Sequence, residues 1–358
     1  MQDEQEVYKQ IKIFKKESED CFLLLYENRT LSVGFLVKDI LVFLQNGIFE
    51  PVEIKKELLN EYNLKLDVED VKKAIVLMHK FVFEEKTDLS FLKFGKLINP
   101  EIIRFNLSFF FDKFVFYSSL ISFFIINIFI SMSLQYSRID NVRDWTIWVL
   151  LLVGVLFVHE LGHVLSARRY GVNCKEIGAG LYFIFPVLYT NLGEAWRLKK
   201  EKRIIINLSG IYFQLMFGII IGLLAWFAHS NILSFFFFTN FTIVLLNLNP
   251  FIKFDGYWIV ADLLNIGNLA KAANNELIRF FSFKFRNGNA KLSIYAFFRM
   301  IFILFFAILL LSLSFSLVRK IYHAIPLSYR DYFLIIFILY YLFKKIKQWT
   351  FKSKSRNI

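Results

Sequence analysis

IIINLSGIYFQLMFGIIIGLLAWFAHSNILSFFFFTNFTIVLLNLNPFI, residues 204–252, contains no Lys, Arg, Asp or Glu in 49 residues. A bilayer crossing needs ~20 apolar residues, so this run holds two crossings and a tight turn. His229-Ser230-Asn231 is the polar break, which places spans at 204–228 and 232–251. Working outward, 114–134 and 300–318 are also uncharged. The run 145–158 is uncharged and continues apolar to Ala167, interrupted by His159, Glu160 and His163. A shorter run, 332–343, extends back to Pro326 and completes six expected spans.

The composition agrees. Of 358 residues 56% are hydrophobic and 45 are Phe, with only 15 Gly and 5 Pro. That excludes disordered and collagen-like chains, and no single water-soluble core could hide so much apolar surface. Two cysteines, Cys21 and Cys174, are too few for a disulfide framework and are expected to stay reduced. The formal charge of +13 follows the membrane. With the amino terminus cytoplasmic, the inner loops 168–203 and 253–299 and the tail 344–358 carry 8, 7 and 6 Lys/Arg, against 2, 0 and 3 in the outer loops. This is the positive-inside pattern. It predicts a multi-pass protein of the cell membrane with both termini cytoplasmic, whose basic flanks face lipid headgroups; no nucleic acid is expected as partner. Trp145 and Trp148 sit where an outer aromatic belt belongs. No cleavable signal is expected, because the first twenty residues are charged throughout.

Residues 1–98 read as a separate cytoplasmic domain, 99–113 as a linker, 114–343 as the membrane domain and 344–358 as a basic tail. In the first of these, residues 21–26 suit a short strand. Phe35, Leu36, Ile40, Phe43 and Leu44 follow a helical face stopped by Gly47. Pro51 opens a second helix to Tyr62, and Asp67 with Asp70 three residues on caps a third. Phe81-Val82-Phe83 is expected to close the domain as a strand. Over 18–86 this order resembles the small winged-helix domain that recognises leader peptides in ribosomal-peptide modification systems, which implies a peptide adding beside the sheet. The alternative is a cap domain without peptide specificity. The fold class is therefore mainly α: a polytopic membrane protein with a small α+β head.

His159-Glu160-Leu161-Gly162-His163 is an HExxH sequence inside a span. Its spacing puts both His on one helix face. A His, a Glu and a second His are costly in lipid and persist only with partners in a protein interior. A zinc ion satisfies all three; a hydrogen-bonded cluster between helices is the other reading. Zinc with two His needs another protein ligand and an open position. Asp255 is the candidate. Pro250 turns Asn249 away from helix, so the fourth span unwinds before Asp255, and Gly256 permits a sharp turn inward. A helix-capping role is its alternative. The depths agree: His159 lies 14 residues from Trp145, ~21 Å at ~1.5 Å per residue, about 10 Å from the inner face of a ~30 Å core. Asp255 closes its span at the same level.

HExxH in one span, a further span, then Asn247-x-x-Pro250-x-x-x-x-Asp255-Gly256 closing the next resembles the site-2 protease family of intramembrane zinc metalloproteases. Phe185–Asn191, Glu194–Arg197 and Gly210–Gln214 are similar to its bacterial branch of peptide zinc metalloproteases, several of which are encoded with peptide-modifying enzymes and exporters. Many members carry Gly-Pro-x-x-Asn in the intervening span; here Gly210 is followed by Ile211 and Gln214. The resemblance implies His159, His163 and Asp255 as zinc ligands, Glu160 as general base and acid, and Asn247 as donor to the oxyanion. An interhelical hydrogen bond is the other reading of Asn247. Residues 178–193, apolar, rich in strand formers and broken by Pro186, suit a re-entrant hairpin that pairs with an extended substrate; a membrane-surface loop is the alternative.

The expected function is hydrolysis of a peptide bond in a peptide precursor, with an ABC exporter and a peptide-modifying enzyme as partners. Two alternatives stand beside it. One is a membrane adaptor for a peptide or exporter, its zinc site non-catalytic. The other is a regulatory protease that cuts a membrane-bound signalling factor or other transmembrane peptide.

Overall fold

A computed structural model describes residues 2–17, 19–27, 29–62, 66–83, 91–103, 107–136, 138–182, 185–282 and 289–324. The chain divides into two compact units, Met1–Leu269 and Ala270–Ile358. The sixth expected span and the basic tail lie outside the described residues.

The head begins with α1 (Gln2–Lys9) and an antiparallel meander of β1 (Lys12–Lys15), β2 (Phe22–Tyr26) and β3 (Arg29–Val33). Helices α2 (Phe35–Gln45), α3 (Pro51–Tyr62) and α4 (Val68–Phe83) follow. Alternation sends Leu24 of β2 inward, where it meets Ile40, Leu41 and Leu44 of α2, Ile54 and Leu58 of α3, and Val71 and Met78 of α4. The expected strand at Phe81–Phe83 is instead the last turn of α4. Val82 continues the buried series Val71, Ala74, Met78 at helical spacing, and that face outweighs the β propensity of three residues.

The boundary drawn at residue 98 from composition falls just after a strand, β4 (Phe91–Ile98), that pairs outside the head. Its partner is β5 (Ile177–Tyr182), which also pairs with β6 (Phe185–Thr190), giving an antiparallel sheet in the order β4-β5-β6. The segment expected as a re-entrant hairpin thus contains a hairpin. β4 exposes Leu92, Phe94 and Leu97.

Four helices are long and apolar enough to cross a membrane. They are α5 (Lys113–Ser133), α6 (Val142–Arg169), α7 (Lys200–Ala228) and the first 27 residues of the last helix, Ala290–Ser316. A shorter apolar helix, α8 (Asn231–Asn247), follows α7. It starts at the Ser230 cap, after His229 adopts a left-handed conformation, and stops three residues before Pro250. Of the windows that could span, α7 is the most buried, at 50% against 11% for α5. It is the central helix. Phe116 of α5 stacks on its Tyr212, and buried Asn127 of α5 donates to Leu215 O. After α8 comes the short α9 (Asp255–Leu264). The remaining helices are α10 (Leu269–Phe281) and α11 (Ala290–Ala324); Ser293 of α11 donates to Glu276 of α10.

The head docks on the segment that leads into α7. Glu17 N–H donates to Arg197 O, and the Glu17 carboxylate accepts from Lys202 Nζ at 2.8 Å and from the Lys199 N–H. Burial alone would raise the Glu17 carboxyl, but these donors hold it below its ordinary range. A depressed carboxylate contributes stability above its unfolded pKa and loses it as pH falls through the folded one. Glu17→Gln at neutral pH and acidification of the native chain should therefore both lower the protection factor of the residue 17 amide, that is, its exchange relative to the intrinsic rate at the same pH. Unchanged protection in both would show that this contact does not hold the head.

Candidate metal centre

Helix α6 carries His159, Glu160 and His163, all less than 10% exposed, and their potential ligand atoms lie within 4.8 Å of one another. The i, i+4 spacing turns the imidazoles to one face, with the two Nε2 atoms 3.1 Å apart. Asp255, the first residue of α9, brings Oδ2 to 3.2 Å from His159 Nε2 and 3.5 Å from His163 Nε2. Side chains 96 and 92 residues apart in sequence thus meet at one point.

The opposite ring nitrogens set the tautomers. His163 Nδ1 faces the carbonyl of Ile206 at 2.8 Å, and His159 Nδ1 faces Gln214 Oε1 at 3.1 Å. Both partners only accept, so each Nδ1 carries the hydrogen and each neutral Nε2 presents a lone pair. Two lone pairs and a carboxylate oxygen then converge with no hydrogen among them. Asp255 Oδ2 is buried and has no hydrogen bond of acceptable geometry. Such an arrangement is repulsive unless a cation sits within it. Ligand atoms of a tetrahedral zinc site with ~2.0–2.1 Å bonds stand about 3.3–3.4 Å apart, close to the separations found here. The residues present therefore fit zinc, and two imidazoles with one carboxylate leave a position open.

Helix α7 supplies the wall. A Cβ added at Gly210 would lie 2.5 Å from His163 Nε2 and 2.6 Å from His159 Cε1, so only glycine leaves room for the rings. Gly256 has a similar role at α9, since a Cβ there would lie 2.2 Å from Leu248 O. Asn247, at the end of α8, donates from Nδ2 to Gln214 Oε1 at 3.3 Å and lies 3.5 Å from His159 Nδ1. All five expected site residues are thus brought to one place. Gln214 has no sequence signal beyond its departure from the family's Gly-Pro-x-x-Asn pattern, yet its carbonyl orients His159. Burial pushes the Cys174 thiol up to about 12, so it remains protonated and unreactive at neutral pH.

The hairpin adjoins this site. Tyr182 OH of β5 accepts from Lys253 N–H, and its ring packs on Phe254, next to Asp255. Beyond β6 no further strand is paired among the described residues.

Residues 147–230 match peptidase family M50. The resemblance to the site-2 proteases holds. The matched segment includes the HExxH helix and Gly210, and ends before Asn247 and Asp255. The chain is also 25% identical over 224 residues to "Putative peptide zinc metalloprotease protein YydH" of Bacillus subtilis (strain 168), covering 59% of this chain and 88% of that protein. No solved structure gives a significant match. The family match and the apolar helices support a multi-pass membrane protein and an intramembrane zinc protease.

Proposed function

We propose that this chain is an intramembrane zinc endopeptidase that cuts a peptide precursor during maturation or export. The observation that carries the reading is the convergence of three hydrogen-free donor atoms, His159 Nε2, His163 Nε2 and Asp255 Oδ2, beside a carboxylate that is not needed to hold the ion. Bound there, zinc supplies a Lewis acid that brings the pKa of a water towards ~7. Glu160 takes the proton from the attacking water and returns it to the leaving amine. Gln214 and the Ile206 carbonyl hold the two imidazoles in the tautomer that presents Nε2. Asn247 spends one N–H on Gln214 and keeps its second for the carbonyl oxygen of the scissile bond.

The substrate is held extended, because a helical peptide bond is shielded by its neighbours. The outer edge of β6 offers backbone groups for this, in a sheet that touches the Asp255 loop through Tyr182. The head captures the leader of the precursor, and its docking through Glu17 places it beside the segment that leads into α7. The excess of Lys and Arg in the expected inner loops supports a head, termini and site on the cytoplasmic side of the cell membrane. An ABC exporter and a modifying enzyme are the expected partners.

Purified protein in detergent should contain close to one zinc per chain. A chelator should stop cleavage of a precursor peptide co-expressed with it, and added zinc should restore it. Cleavage that continues in metal-free protein would refute the reading.

A further inference from the structure

One face of α7 carries Arg203, Asn207, Gly210 and Gln214, spaced four, three and four residues apart. At Gly210 this face meets the imidazoles, and at Gln214 it holds His159 and Asn247. Nearer the start of α7 it holds something else. Arg203 Nε and NH2 reach Asp262 Oδ1 at 2.8 and 2.6 Å, and Asn207 Nδ2 reaches Asp262 Oδ2 at 3.4 Å. Asp262 is 3% exposed and lies on α9, seven residues after Asp255. Seven residues are two turns, so the two carboxylates share a face of α9, about 10 Å apart along it.

Helix α9 has only ten residues and follows an irregular turn. A helix this short has little stability of its own, so its neighbours set its orientation. The contact of Gly256 with the Leu248 carbonyl fixes how closely α9 approaches α8 but not how it is rotated. Rotation decides whether Asp255 faces the imidazoles. A buried carboxylate two turns further along must face its cation, since an unpaired charge there is strongly disfavoured. The cation is itself held: Arg203 NH1 donates to Leu198 O, and the guanidinium lies over Trp196, whose ring meets Trp258 of α9 edge-on. We propose that Arg203, Asn207 and Asp262 form a positioning clamp that fixes the rotation of α9 and so holds Asp255 against His159 and His163. This rests on the zinc reading of the site, and it adds residues that touch neither metal nor substrate.

Cobalt(II) loaded into the full-length protein in detergent micelles reports the ligand set through its visible absorption. Arg203→Ala and Asp262→Asn should each weaken cobalt binding about 10–100-fold, as loss of outer-sphere support does. Each should also shift the spectrum of the loaded protein towards that of Asp255→Ala. Wild-type affinity and spectrum in both variants would overturn the clamp. So would a lower melting temperature of the metal-free variants with an unchanged cobalt spectrum, which is what a merely structural ion pair predicts. Asp262→Asn keeps the side chain's size and carries the test if Arg203→Ala does not fold. Wild-type protein that takes up no cobalt would sink the metal reading, and the clamp with it.

Discussion

Glu160→Gln is expected to leave zinc in place and to reduce peptide hydrolysis by ~10²–10⁴-fold, the range for loss of a general acid–base group. The two halves of this result come from different atoms. His159, His163 and Asp255 already close a set of donors 3.1–3.5 Å apart, so the ion does not depend on Glu160. Glu160 precedes the second His by three residues, and its side chain is 6% exposed on the same helix. A carboxylate is costly to keep there, and a structural ion site has no use for it. Gln has nearly the same shape and can donate and accept hydrogen bonds, but it cannot take a proton from water. Zinc content by elemental analysis and maturation of a co-expressed precursor separate the two effects. A Glu160→Gln protein that holds zinc and still matures the peptide would make the chain a binding protein rather than a hydrolase.

The legible part of this site was the part encoded by short spacing. HExxH needs one helix and a four-residue interval, and the span that carries it is visible as an uncharged run. Asp255 could be inferred because Pro250 and Gly256 announce a break and a close approach, and the chain does leave helix at Asn247 and resume it at Asp255. Contacts between distant segments have no such signature. Gln214 meets His159 across 55 residues, and Arg203 meets Asp262 across 59, with nothing periodic to link them. Strand β4 was hidden for another reason. Its residues FLKFGKLI mix Lys and apolar side chains without strict alternation, and its pairing with β5 shifts register twice. Gly210 belongs to the stretch that resembles the family, but why it must be glycine follows only from the packing of α7 against α6.

Replacing Gly210 by Ala isolates that packing, because two effects of opposite sign act on one methyl group. In a helix, Ala is favoured over Gly by ~1 kcal/mol, so metal-free Gly210→Ala protein, whose imidazoles can swing aside, should be at least as stable as the native chain. In the metal-ready arrangement the new Cβ stands 2.5 Å from His163 Nε2 and 2.7 Å from His159 Nε2, well inside contact distance of both donor atoms. Forcing an extra methyl into a packed site costs ~1–3 kcal/mol, and each ~1.4 kcal/mol is tenfold in affinity. Zinc should therefore bind roughly 10–100-fold more weakly, and proteolysis should fall with it at limiting zinc. The informative experiment is a pair of melting curves, one with chelator and one with a fixed excess of zinc: the native chain should gain stability from zinc, and the variant should gain about 1.4–2.7 kcal/mol less while keeping its metal-free melting temperature or exceeding it. Equal zinc stabilisation in both would mean that the rings do not stand against Gly210, and the arrangement of α6 on α7 described above would be wrong. A drop in the metal-free curve would mean that the imidazoles stand against position 210 without metal as well, since a helical residue in the middle of α7 does not need glycine for its own backbone.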